Sequence, residues 1–105
     1  MAMNAQDRLF FEEGSAKAAA MLRAIGNPHR LLILCLLIEY GEMPVGSLHE
    51  YIDLSQSALS QHLARMREEG LVTYRREAQT LYYRIENADV AKLIATLKEI
   101  YCPSR

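Results

Sequence analysis

At 105 residues, half of them apolar and 24% charged, the chain makes one soluble domain near the lower limit for holding a core, and its longest apolar run, 31–38, is too short to cross a bilayer. Two cysteines sixty-seven positions apart exclude a disulfide scaffold and a paired zinc motif, and no secretory or transit pattern opens the chain, so a cytoplasmic location is expected. The net charge of −1 argues against a nucleic-acid partner only in sum: residues 1–54 carry 4 basic and 7 acidic side chains, whereas 55–84 carry 5 basic and 3 acidic, a local +2.

Residues 1–14 read as a flexible N-terminal segment, frayed or loosely helical, with the apolar run Leu9, Phe10, Phe11 its one hydrophobic feature. The domain proper is expected over 15–105. Ala18, Met21, Leu22 and Ile25 recur at helical spacing and predict a first helix that stops at Gly26. In "NPHRLLILCLLIEYG", Asn27 is the N-cap, Pro28 the first helical residue and Gly41 the stop. This second helix is apolar all round and therefore central. A short third helix over 45–51 presents Val45, Leu48 and Ile52 on one side. Asp53 and Leu54 turn the chain, Ser55 caps a fourth helix, and Gly70 ends it. "LVTYRR" and "TLYYRI" alternate as strands around "EAQ", which is a hairpin. Asn87 caps a last helix striped by Val90, Leu93, Ile94, Leu97 and Tyr101, and Pro103 ends it.

A short helix, a tight turn, a longer polar-faced helix and then a hairpin make a winged helix-turn-helix, mainly α with a small β-hairpin. The polar face lies on the helix in "LSQSALSQHLARMREEGLV". Leu59, Leu63 and Met66 form its apolar stripe; stepping 100° per residue points Gln61 outward, flanked by Ser57 and Ala64, with Ser60 and Arg65 at the margins. A merely solvated face usually carries Glu and Lys pairs. Residues 55–62 instead hold three serines, poor helix formers, and no acidic side chain.

Such a face suits DNA. Serine and glutamine offer donors and acceptors to base edges, and glutamine pairs bidentately with adenine. Ala64 lets the axis approach the groove, while Arg65 and Arg67 suit flanking phosphates and Ser55 with the first-turn N–H groups suits another. In the wing, Arg75, Arg76 and Gln79, with Arg84 beside them, would reach the adjacent backbone or minor groove. Tyr74, Tyr82 and Tyr83 alternate as packing residues. Of the histidines, His29 reads as a solvated cap residue, His49 as exposed, and His62, about 60° from the buried centre, as an orienting hydrogen-bond partner. One domain makes few base contacts, so a two-fold homodimer is expected, with the first and last helices as its seam. No Gly-rich phosphate loop, nucleophile elbow or His/Glu ligand set points to an enzyme or a cofactor.

"NPHRLLIL", "VGSLHEYIDLSQSALSQHLARMREEGLV" and "TLYYRI" resemble the ArsR-type winged-helix repressors in order and spacing, over residues 16–102. Within that family, "ILCLL" together with "ATLKEIYCP" is similar to a dithiol subgroup of homodimeric repressors and antirepressors, several of which sense persulfides or oxidants. The resemblance implies a double-stranded operator as partner and a small reactive sulfur species or oxidant as inducer. It implies Cys35 and Cys102 as the sensing pair, and DNA reading by Ser55, Gln56, Ser57, Ser60, Gln61, His62 and Arg65. Arsenic sensors of the family need thiolates where this chain has "EMPVGSLHE", and its zinc sensors need last-helix histidines where this chain offers only Asp89. Neither metal site can be built with suitable ligands. A metal sensor, a DNA binder that acts without an inducer by displacing another DNA-bound protein, and a winged helix for protein contact alone are the alternatives.

Overall fold

The computed structural model describes residues 2–101; Cys102 and Pro103 lie outside the described residues. The chain runs α1 (Ala5–Leu9), a π-helical turn (Phe10–Gly14), α2 (Ser15–Ile25), α3 (Pro28–Tyr40), β1 (Met43–Pro44), α4 (Val45–His49), α5 (Gln56–Glu68), β2 (Val72–Glu77), β3 (Thr80–Ile85) and α6 (Ala88–Tyr101).

The capping residues read from the sequence set these boundaries. Asn27 Oδ1 accepts from the His29 and Arg30 N–H groups at 2.9 and 3.2 Å, leaving Pro28 where its missing N–H costs nothing. Ser55 Oγ accepts from the Ala58 N–H at 3.1 Å, and Asn87 Oδ1 from the Asp89 N–H at 2.8 Å. At the end of α5, Gly70 takes φ +78°, while Leu71 N–H donates to the Met66 carbonyl and Gly70 N–H to that of Arg67. That pair of bonds is a Schellman stop, and it seats Leu71 in the core beside Met66. Between α2 and α3 the axis turns by 91°. A Cβ at Gly26 would lie 2.6 Å from the Leu22 carbonyl oxygen, so only glycine permits that corner.

The core gathers one face of nearly every element. Ile33, Leu34 and Leu37 of α3 meet Leu48, Ile52, Leu59, Leu63 and Met66 from the helix-turn-helix, Val72 and Tyr83 from the sheet, and Val90 and Ile94 from α6. Each such burial is worth roughly 1.5–3 kcal/mol, so α5 is held firmly by its back. No single helix among the described residues is long and apolar enough to cross a membrane.

Residues 5–14, read from the sequence as frayed or loosely helical, are helical: Asn4 Oδ1 accepts from the Asp7 N–H at 2.7 Å, α2 continues the same helical run, and α1 buries no side chain. Three features depart from the sequence reading. The wing is three-stranded rather than a lone hairpin, in the order β1-β3-β2, because Met43 and Pro44 pair with Tyr83 and Tyr82. The short helix ends at His49, two residues before the expected Tyr51. Glu77 pairs with Thr80, so the hairpin turn is Ala78-Gln79 and not "EAQ". Ala78 takes φ +57°, which only a tight turn demands.

Candidate nucleic-acid interface

Leu59, Leu63 and Met66 are each 0% exposed, so the opposite side of α5 faces out. Ser57, Ser60, Gln61, Ala64 and Arg65 are all exposed there, with Ser55 and Gln56 exposed at the N-terminal end and Arg67 beside them. His49 Nε2–H donates to the Leu54 carbonyl at 2.7 Å, which closes the turn between α4 and α5 and fixes how α5 is presented. His49 is exposed, as its place on the short helix predicts, and makes this bond at the surface.

His62 and His29 are both half-buried, and their rings lie 6.0 Å apart at a tilt of 44°. Burial, then the nearby charges of Arg30, His29 and Arg65, hold the His62 imidazole below its ordinary pKa. Arg30 was not singled out by sequence. Its Nη1 donates to the Ala24 carbonyl at 2.8 Å and to Glu69 Oε1 at 3.1 Å, locking the α2–α3 corner to the end of α5. Arg30, Gln61, His62, Arg65 and Glu68 line an open cleft of about 450 Å³ along the recognition face.

In the wing, Arg76 and Gln79 are exposed, Gln79 within the tip turn. Tyr74 and Tyr83 pack 5.3 Å apart on the inner face, with the Arg67 guanidinium over Tyr74 at 4.8 Å. Arg75 is differently occupied. Its Nε donates to both Glu42 carboxylate oxygens at 3.1 and 3.0 Å, and its Nη1 donates to Glu77 Oε2 at 2.9 Å. Hydrogen bonds to Glu42 and then Glu77 raise its pKa further, so the charge is permanent and matched within the protein.

Cys35 lies half-buried on α3, at a cavity of about 620 Å³ that it lines with Leu31, Leu36, Tyr40, Leu97 and Tyr101. Lys98 donates to Glu39 at the same cavity, joining α6 to α3. Cys102, the other thiol of the expected pair, lies outside the described residues.

Residues 27–74, from the cap of α3 into β2, match the family model described as "Bacterial regulatory protein, arsR family". The transcriptional activator HlyU of Vibrio cholerae is 47% identical over 100 residues, which span 95% of this chain and 89% of HlyU. The chain belongs to the ArsR family. A second relative is the HTH-type transcriptional regulator YgaV of Escherichia coli, 49% identical over 92 residues that span 88% of this chain and 93% of YgaV. The solved structure of reduced HlyU from Vibrio cholerae superposes with a TM-score of 0.83 at 46% identity, covering 90% of this chain and 99% of that one. As an ArsR-family protein the chain is a DNA-binding transcriptional regulator with a winged helix-turn-helix fold. Among the described residues of this ArsR member, no group of three or more His, Cys, Asp or Glu side chains is placed to hold a metal ion.

Proposed function

We propose that this ArsR-family regulator reads a double-stranded operator as a homodimer, and that bridging Cys35 to Cys102 by a reactive sulfur species or oxidant lowers its affinity. The observation that carries the DNA reading is the outward face of α5, where Ser57, Ser60, Gln61, Ala64 and Arg65 lie exposed without an acidic side chain among them, on a helix whose back is fully buried. Gln61, Ser57 and Ser60 face base edges; Ser55, Gln56, Arg65 and Arg67 take flanking phosphates. His62 braces the helix from the side of His29, and Arg76 and Gln79 extend the contact from the wing.

Support for the dimer comes from apolar side chains left uncovered. Leu9, Phe10, Phe11 and Leu22 on the N-terminal helices, and Leu93, Ile100 and Tyr101 on α6, are all exposed. Two copies burying these stripes would set their recognition helices about one duplex turn apart.

Support for the thiol switch is that Tyr101, the residue before Cys102, lines the same cavity as Cys35. Chemically, one persulfide transfers its outer sulfur to a cysteine and leaves as a thiol. A second persulfide accepts the two electrons and two protons released as the bridge closes on the other cysteine, and leaves as a thiol and hydrogen sulfide. A peroxide would instead close a direct disulfide and leave as water. Either bridge ties α3 to α6, and a coupling of about 1–3 kcal/mol through the seam is enough to release DNA. HlyU is named an activator, which favours, as a second reading, displacement of another DNA-bound protein.

The test pairs mass spectrometry with DNA affinity after persulfide and after peroxide treatment, on wild type, Cys35→Ser and Cys102→Ser. Both variants should bind DNA as wild type does and fail to release it. Unchanged release in both removes the sensor. In a salt titration, a dimer contacting roughly 6–10 phosphates shows a steep log–log slope, and a flat response would favour protein-only contact.

A further inference from the structure

We propose that Arg75 is a positioning residue that straps the wing to the segment feeding the helix-turn-helix, and that Glu42 is the other half of the strap. The inference rests on the DNA-binding reading above and deepens it.

The geometry runs across the sheet. Arg75 on the edge strand β2 pairs with Tyr82 on the central strand β3, and Tyr82 pairs in turn with Pro44 on β1. The Arg75 guanidinium lies 4.5 Å over the Tyr82 ring, so its side chain crosses the central strand on one face. Beyond that ring it meets both carboxylate oxygens of Glu42, the residue immediately before β1. Glu77, near the tip of β2, holds the guanidinium from the other side at 2.9 Å. Glu42 follows Gly41, the stop of α3, and β1 leads directly into α4. The backbone ladder joining β1 to the wing is only two residues long. The strap therefore adds a side-chain tie beside that short ladder, on the face of the sheet opposite the Tyr74–Tyr83 pair.

The same contacts argue against Arg75 as a phosphate ligand. Its single positive charge already faces two carboxylates, and moving it to a phosphate would leave both unpaired beside the DNA backbone. With side chains 45% and 32% exposed, the Arg75–Glu42 pair contributes little to folding. What it restricts is the angle of the hairpin, and with it the reach of Arg76 and Gln79. Loss of the strap should show in DNA affinity and hardly at all in the melting temperature.

The experiment uses the full chain and a labelled duplex that wild type selects from a randomised pool, read by fluorescence anisotropy across a salt titration. Arg75→Gln and Glu42→Gln should each weaken binding by about 5- to 10-fold, and the double variant no further. Arg75→Lys keeps the charge but cannot span the two carboxylates, so it should fail like Arg75→Gln. All should melt as wild type does and keep its salt slope. A salt slope flattened by about 0.9 per arginine in Arg75→Gln, with binding retained in Arg75→Lys, makes Arg75 a phosphate ligand and overturns the strap. Glu42→Gln that binds as well as wild type, or better, overturns it equally, and does so even if the Arg75 variants fail to fold. A wild-type chain that selects no duplex overturns the DNA reading and the strap with it, whereas a defect confined to the variants concerns the strap alone.

Discussion

Replacing Ser57 and Gln61 together by alanine separates the reading of DNA from the holding of the fold. Both side chains are exposed on α5, and among the described residues no hydrogen bond engages either one. Alanine is the better helix former, by about 0.5 kcal/mol over serine and a few tenths over glutamine. The double variant should therefore melt at the wild-type temperature or a few degrees above it. Binding should move the other way. A bidentate side chain–base pair carries about 1–3 kcal/mol of discrimination, and a two-fold dimer presents Gln61 twice. The loss of about 2 kcal/mol at the low end is roughly a 30-fold rise in Kd, with Ser57 adding to it. Neither residue is charged, so the salt slope and the affinity for random-sequence duplex should stay as they are. The assay is anisotropy against a selected duplex and against random sequence, with thermal melting as the control. Unaltered operator affinity and sequence preference in a well-folded double variant would refute the assignment of this face.

Leu63→Ala tests the anchoring of the same helix. Leu63 is 0% exposed, so its truncation should cost about 2–5 kcal/mol in chemical denaturation, and a loss below 1 kcal/mol would mean that α5 is held otherwise. Ala78→Gly should stabilise by about 0.5–1 kcal/mol, because alanine at φ +57° bears a strain of about 1–2 kcal/mol that exceeds glycine's entropy cost; a lowered melting temperature would contradict the strained turn. Burial and neighbouring cations hold the His62 pKa below its ordinary value of about 6.5. The unfolded chain therefore takes up that proton first, and stability should fall as pH drops from about 6.5 through the depressed folded pKa. His62→Gln should flatten that part of the stability–pH profile, and an unchanged profile would show that the proton is taken up elsewhere.

Local physics made much of this protein legible in its sequence. Asn27, Ser55 and Asn87 cap helices because a short polar side chain satisfies nearby N–H groups wherever it precedes an apolar period. The stripe of Leu59, Leu63 and Met66 decided which side of α5 is buried, and so which side is offered to a partner. The helix-turn-helix, its polar face and the hairpin followed from spacing within residues 45–85. Contacts between distant residues did not. The pairing of Met43 and Pro44 with β3, the approach of the His29 ring to His62, and the meeting of Glu42 with Arg75 each join segments that no local period relates. Cys35 and Tyr101 share a cavity for the same reason: α3 and α6 pack there. A sequence states what each side chain prefers over a turn or a strand; which partner, dozens of residues away, meets that preference is decided only when the core closes.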